Sequence, residues 1–583
     1  MSISIRKAGF WATQMCVLLA VGGVVWKIRS FLAPEEDPLP QSVTFYPHVA
    51  PIVFRSCTPC HQQGQPGPFP LVHYADFHKH AEPVLKVTQS GFMPPWLPDR
   101  GVVEFLDERR LSLRELALIR RWVEGGALEG VPVSNPKPAL LSEGWQMGTP
   151  DLVVTLPKAF LLPADGPDVY RNFVIPIPLE TRRFVRAVEF HPGSKVIHHA
   201  FLLFDPSRQS RRMDARDETP GFPGLGVAPG VESPGGYFLS WQPGRRPIES
   251  IPGMSWSVRP GMDLLLQMHM QPRGSVEEVQ PRVGFYFTDQ APTNTPLKIS
   301  LSSYAIDIPA GATNHPVTDR FVLPSDVFLL GLLPHAHYLA KTVEGAAIFP
   351  DGRRQILLQI SNWDFNWQSD FRLKQPLLLP KGTQLLMRFT YDNSTNNVRN
   401  PTVPPTRVTY GAETRNEMAE LWMQVLPRTP QDAEALQSAY QRRVVDDALQ
   451  FNTRIIAREP ENAHAHVQLG KAKFALGQVA EARALFDRAA QLDPSEEEAQ
   501  YNLGVLLMGD RRYREASQRF ARTLFLNPEN LGALNNQGLL LLSDGKLDQA
   551  ESLFREMLRI NPSDAIAKEN LDLVAKTRFK RGR

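Results

Sequence analysis

The sequence predicts a multidomain chain of three textures: a small all-α module, a long antiparallel β region and a C-terminal α-solenoid of helix pairs. Three observations carry this. A compact N-terminal stretch ends in the helical segment LSLRELALIRRWVEGGA, and short apolar runs alternate with Pro/Gly turns from about 148 to 427. The last part of the chain repeats with one fixed period. At 583 residues the chain is too long for a single core, and about four domains is the expectation from size. A hydrophobic fraction of 42% and a charged fraction of 21% are ordinary for soluble globular material. The net charge of +3 is too small to argue for a nucleic-acid partner.

Taken in order, Ala8 to Trp26 is an apolar stretch of 19 residues without a charged side chain. As a helix it just spans the roughly 30 Å hydrocarbon layer. Arg6 and Lys7 precede it, Lys27 and Arg29 follow, and Trp11 and Trp26 suit the two interfaces. An uncleaved signal anchor over 1–33 is expected, with the rest of the chain on the periplasmic side of a bacterial inner membrane. The alternative is a cleaved signal peptide and a secreted chain, since Ala20-Val21-Gly22 is a passable cleavage site. Only three cysteines occur, and Cys16 lies in this run, so no intramolecular disulfide framework is expected.

PEEDPLP at 34–40 and the proline-containing stretch Pro132 to Pro138 read as linkers around an α module at 41–130. Inside it, Leu113, Leu116, Ile119 and Val123 recur at helical spacing, and Gly125-Gly126 stops the helix. CTPCH is the signature of covalent c-type haem attachment. Cys57 and Cys60 form thioethers to the vinyl groups and His61 supplies the proximal nitrogen. The competing reading is a coincidental CxxC or a redox dithiol. For the sixth ligand Met93, in GFMPPW, is the first choice, because a thioether suits a carrier of raised potential. His73, His78 and His80 remain rivals.

From 148 to 427, runs such as FLLFD, LKISL, ILLQI and QLLMRF read as antiparallel β-sandwich. Asp205 to Pro260 reads as a long loop or insertion. Five histidines fall here: His198 and His199 in VIHHAFLLFD, His269 in LLLQMHMQP, His335 and His337 in LLPHAHYLAK. Met418 follows in ETRNEMAEL. Residues two apart on a strand point the same way, so His335 and His337 can grip one ion. Adjacent His198 and His199 would point to opposite faces, so sharing a metal requires a strand end or a bulge. Imidazoles with a thioether favour copper over zinc, since the thioether selects soft Cu(I). Taken singly, each histidine reads as a satisfied polar residue in a sheet; it is the set in this order that points to a metal.

The C-terminal part repeats at intervals of 34 residues: Pro460, Pro494, Pro528, Pro562; Gly470, Gly504, Gly538; Ala482, Ala516, Ala550; Phe486, Phe520, Phe554. This matches the tetratricopeptide repeat, whose small residues let two helices pack closely while an aromatic fills the gap. A domain over 430–580 is expected, with three repeats at about 462–563 and capping helices on either side.

The order HH, QxH, HxHxxxK, EM over about 270 residues resembles the copper type II, ascorbate-dependent monooxygenases, which include the peptidylglycine α-hydroxylating and dopamine β-monooxygenases. The resemblance implies two jelly-roll domains, here 148–290 and 291–427, each carrying one copper ion. His198, His199 and His269 would bind the electron-storing copper; His335, His337 and Met418 would bind the oxygen-activating, catalytic one. Gln267 and Lys341 also fit the pattern, and the segment WDFNWQ at Trp363 to Gln368 looks familiar beside it. The animal enzymes have disulfides in this core, whereas here no cysteine follows Cys60. Leu333, Glu420 and Trp422 stand where the peptide-amidating branch holds its substrate carboxylate, which speaks against a peptide C-terminus as substrate. The expected activity is O₂-dependent hydroxylation of a C–H bond, with a protein partner on the repeats. The rivals are an electron-transfer or copper-handling protein and a repeat-based assembly factor.

Overall fold

The computed structural model describes residues 38–62, 67–132, 145–561 and 564–581, save 225, 229, 232, 244 and 412. Cys16, the apolar run Ala8 to Trp26 and the stretch 133–138 lie outside the described residues. No helix among the described residues is long and apolar enough to cross a membrane. The chain divides into two compact units, one within 1–58, 71–94 and 111–138, the other within 59–70, 95–110 and 139–583.

The first unit is helical: Ala50–Ser56, Tyr74–Lys79, Ala81–Gln89 and Leu113–Glu124. Its core gathers around Phe45, whose ring lies 5.4–5.8 Å from those of Phe54, Tyr74, Phe77 and Trp122. Ser112 and Glu115 form a reciprocal capping box at the start of the last helix, satisfying two backbone N–H groups that would otherwise lack partners. The buried stripe of this helix is Leu118, Ile119, Trp122 and Val123, and Gly125 caps its end. Leu113 is 74% exposed, contrary to the expectation from spacing. It occupies the first helical position, on the side away from the stripe that Trp122 anchors.

In the second unit, residues 152–427 are rich in strands. One sheet has the order Leu152–Thr155, Arg282–Thr288, Arg183–His191, Ile248–Glu249, with Trp256–Val258 also paired to Arg183–His191. A second runs Phe222–Pro223, Val169–Pro176, Asp263–Met270, Ile197–Asp205, Ser240–Trp241. The two share one core, in which Val185, Val188 and Phe285 meet Phe173, Leu202 and Leu264. Two further sheets follow: Leu297–Ser302, Glu420–Pro427, Val327–His335, Phe371–Leu379; and His315–Val322, Gln384–Tyr391, Ala340–Ile348, Arg354–Ile360. Ile299, Leu329, Met423, Val343, Leu385 and Phe389 are buried together in their core. The section from Asp205 to Pro260 is not a simple loop. It carries the helix Ser210–Asp214 and four edge strands, and it buries Tyr237, Leu239, Trp241 and Trp256 in the first core. Strands of two or three residues are too short to show an alternation, which is why the sequence hid them.

From Pro430 onward the chain is helical. The 29-residue helix Pro430–Arg458 lies against the second pair of sheets: Ser300 N donates to Tyr440 Oη at 2.9 Å, and Arg443 pairs with Asp319. It therefore links sheets and repeats as well as capping the array. The pairs Ala463–Ala475 with Val479–Leu492, Glu497–Gly509 with Tyr513–Leu526, and Leu531–Ser543 with Leu547–Ile560 follow, then Ala565–Arg581. A Cβ placed on Gly470, Gly504 or Gly538 would come within 2.6–2.7 Å of the ring of Phe486, Phe520 or Phe554 respectively. The glycine column is thus the clearance for the phenylalanine column.

Candidate metal centre

Strand Asp263–Met270 lies antiparallel to Ile197–Asp205 with His269 directly opposite His199. One step later the register jumps, so that Met270 faces Ile197 and His198 is left over. That extra residue is a β-bulge, which turns two adjacent histidines toward one place. His198 Nδ1 and His199 Nδ1 are 3.1 Å apart, and the three rings each offer a nitrogen within 4.8 Å of the others. Strand Val169–Pro176, on the other side of Asp263–Met270, adds two supports. Tyr170 stacks on His269 at 4.2 Å with 9° between the planes. Asp168, just ahead of that strand, accepts a 2.7 Å hydrogen bond from His269 Nε2. The other ring nitrogen, Nδ1, is buried and has no hydrogen-bond partner.

The second set begins at His335, the last residue of Val327–His335, which pairs with Glu420. Extending the antiparallel register by two residues brings His337 opposite Met418. His335 Nδ1 donates to Gln368 Oε1 at 2.7 Å and His337 Nδ1 donates to Asn416 O at 2.9 Å. With each Nδ1 engaged in this way, Nε2 is the nitrogen either ring can offer to a metal ion, and the ring centroids lie 5.3 Å apart. Glu417, fully buried, ties this set together. Its oxygens accept from His337 N at 2.8 Å, Leu339 N at 2.6 Å and Met418 N at 3.2 Å. Burial raises its carboxyl to about 8, against the pull of those N–H groups. Tyr391 Oη donates to Met418 O at 2.6 Å, fixing the backbone there, and the Met418 side chain is half-buried.

The two sets meet around one ring. Phe365 lies 5.1 Å from His198, 5.6 Å from His337 and 6.4 Å from His335, centroid to centroid. Burial lowers His198 to about 4 and His337 to about 3, and puts His199 well below its ordinary value. All three are therefore neutral at pH 7, the form that binds a metal ion. Gln267 donates through Nε2 to Asn172 Oδ1 at 3.0 Å, on the same strand face as His269. The Lys341 side chain is exposed, while its carbonyl accepts from Trp363 N.

The residues of CTPCH divide between the two units: Cys57 caps helix Ala50–Ser56 in the first, while Cys60 and His61 belong to the second. His61 Nδ1 donates to Phe69 O at 3.0 Å, which leaves the ring's lone pair on Nε2. Gly67 N donates to Cys60 O at 2.8 Å, and a Cβ on Gly67 would fall 2.6 Å from that oxygen. Burial pushes the Cys60 thiol up, opposed by the charges of Arg109 and Arg246. In the first unit, Met93 is half-buried on the turn after Ala81–Gln89, its N–H on Val87 O at 3.0 Å. His73 precedes the helix Tyr74–Lys79, which contains His78, and His80 Nδ1 donates to Asp76 O at 2.8 Å.

Sequence reasoning missed Asp168 and Tyr170, and it gave no role to Glu417 of the EM motif or to Phe365 and Gln368 of WDFNWQ. Asp168 lies about a hundred residues from His269, and only strand pairing joins them. Glu417 had a local signal, as the acidic residue directly before the methionine and just ahead of strand Glu420–Pro427.

Comparison with known proteins bears on the C-terminal helices. Family models for the tetratricopeptide repeat match residues 439–501 and 501–565. This part of the chain is a tetratricopeptide-repeat array, a fold whose stacked helix pairs serve protein–protein interaction. Among solved structures the chain is similar to the crystal structure of MamA, at 22% identity over 24% of this chain and 85% of that one, with a TM-score of 0.22. It is also similar to the MamA RS-1 ArsTM double mutant, at 21% identity over 24% and 80%, with the same TM-score. No curated protein matches the chain.

Proposed function

We propose that this chain is a membrane-anchored periplasmic copper monooxygenase that hydroxylates a substrate C–H bond with O₂, drawing electrons through a fused c-type haem. In this reading 41–130 is the cytochrome c-like domain, 148–290 and 291–427 are the jelly-roll copper domains, and the repeats dock a protein partner. The observation that carries it is the meeting of two groups of imidazoles, three and two, around one ring, with the Met418 backbone tied to that of His337 through Glu417. The buried, unpartnered His269 Nδ1 is the kind of atom a metal ion would satisfy.

Copper held by His198, His199 and His269, and by His335, His337 and Met418, would supply one-electron redox chemistry and, beside the thioether, a binding position for O₂. The chain's own contribution is orientation. Asp168, Gln368 and Asn416 O each hold one imidazole proton and so aim the opposite nitrogen inward. Glu417 sets the spacing between the backbones of His337 and Met418. For the haem, Cys57 and Cys60 would provide the thioethers, His61 the proximal nitrogen and Met93 the opposite ligand.

The runner-up is an electron-transfer or copper-handling protein. Phe365 favours it, since a ring only 3% exposed occupies space between the sets that a substrate would need. Full-length protein made with cytochrome c maturation factors tests both readings. The monooxygenase reading expects a haem-stained band, two copper ions per chain and O₂ uptake that rises with an added substrate. Two coppers with no substrate-dependent uptake across a broad panel would select the runner-up. One copper, or zinc alone, would overturn the metal assignment.

A further inference from the structure

The segment Trp363 to Gln368 leads from strand Arg354–Ile360 to Phe371–Leu379, yet three of its side chains are buried: Trp363 is 1% exposed, Phe365 3% and Gln368 5%. Its side chains divide between the two histidine sets. Gln368 Oε1 accepts from His335 Nδ1 at 2.7 Å, and Trp363 Nε1 donates to His337 O at 3.1 Å. Between them Asn366 turns its side-chain amide back within the segment, donating from Nδ2 to Asp364 Oδ1 at 3.0 Å. Phe365 sits against both, nearly parallel to His198 at 25° and steep to His337 at 72°. The segment is itself held from outside. Asp364 Oδ1 accepts from Asn366 N at 3.0 Å to start the short turn Phe365–Trp367, and Arg399 pairs with Asp364 at 3.2 Å.

We infer that Trp363–Gln368 is a positioning element shared by both histidine sets, which fixes each set's ring geometry and the separation between them. A segment serving the second set alone would need Gln368 and Trp363 but not a Phe365 ring laid along His198. The metal-binding arm of its test rests on the proposed copper sites, whereas the ring-geometry arm does not.

The test uses the full chain with Phe365→Leu, which keeps apolar volume but removes the aromatic ring current. In metal-free protein labelled at histidine, ring resonances of His198 and of His337 should both shift in this one variant. In a Cu(I) competition titration, Phe365→Leu should weaken the first set, and Gln368→Ala should weaken the second by about 10- to 100-fold. Gln368→Glu, which restores an acceptor for His335 Nδ1, should recover most of the second-set loss. Shifts confined to His335 and His337, or first-set affinity unchanged in Phe365→Leu, would assign the segment to the second set and overturn the inference. If wild-type protein takes up no copper, the proposed function fails and the ring shifts alone decide this point.

Discussion

Asp168 holds His269 through a 2.7 Å hydrogen bond at Nε2, while the 9° stack on Tyr170 keeps the same ring from rotating. Two contacts, one from strand Val169–Pro176 and one from the residue just ahead of it, thus fix both the proton-bearing nitrogen and the plane of a candidate ligand. Asp168→Ala should lower copper affinity at the first set by about 10- to 100-fold and leave the second set unchanged. Chelator competition with the two sites resolved spectroscopically would read this out. An equal loss at both sets would mean that Asp168 supports the fold rather than the ring.

At the second set, Glu417 is the residue whose loss should cost most in stability. Three backbone N–H groups point at its two oxygens in a fully buried place. Glu417→Ala would leave them without partners and should destabilise the β region by roughly 3 kcal/mol. Glu417→Gln, which keeps one oxygen, should cost less. Denaturant unfolding followed by tryptophan fluorescence orders the two variants, and Trp363, whose indole donates to His337 O, is well placed to report.

What the sequence could and could not convey follows from the range of each interaction. Two adjacent histidines on a strand demanded a bulge if they were to share a metal, and the jump past His198 supplies one. His335 and His337 needed only the period of two. The repeat array was legible because four columns recur at one interval. By contrast, Phe365 reads locally as an ordinary apolar residue, and its place between the sets depends on how two pairs of sheets meet. Leu113 misled because helical spacing identifies a stripe without fixing which turn it begins on.

Where Pro430–Arg458 meets the second pair of sheets, burial raises the Asp447 carboxyl to about 6, against the attraction of Arg443 3.4 Å away. A carboxylate raised in the folded state favours folding when protonated, so its effect on stability is absent below about pH 4 and grows unfavourable as pH rises to 6. Asp447→Asn should therefore match the wild type near pH 4 and unfold at a higher temperature above pH 6. Equal midpoints at pH 7 would show that the Arg443 pair offsets the burial.

In the repeats, Gly504→Ala should force the Phe520 ring aside in a fully buried site. A cost of about 1–3 kcal/mol is expected for such overpacking. Far-ultraviolet dichroism should show an earlier helical melting step, with copper stoichiometry unchanged. A similar loss is expected from Gly470→Ala and Gly538→Ala, because the same glycine–phenylalanine contact recurs inside each helix pair.

That contact lies wholly within each pair, so adding or deleting a whole 34-residue unit would keep every one of them intact. The array nevertheless has an address at each end. Tyr440 and Arg443 fasten its start to the second pair of sheets. Two repeats on, Glu529 reaches Arg212 at 2.8 Å beside the first pair. A duplicated unit ahead of Glu529 would carry it one step along the superhelix, out of reach of Arg212. Between those two fastenings the solenoid is a gauge of fixed length, and the tally of repeats is part of the β region's architecture.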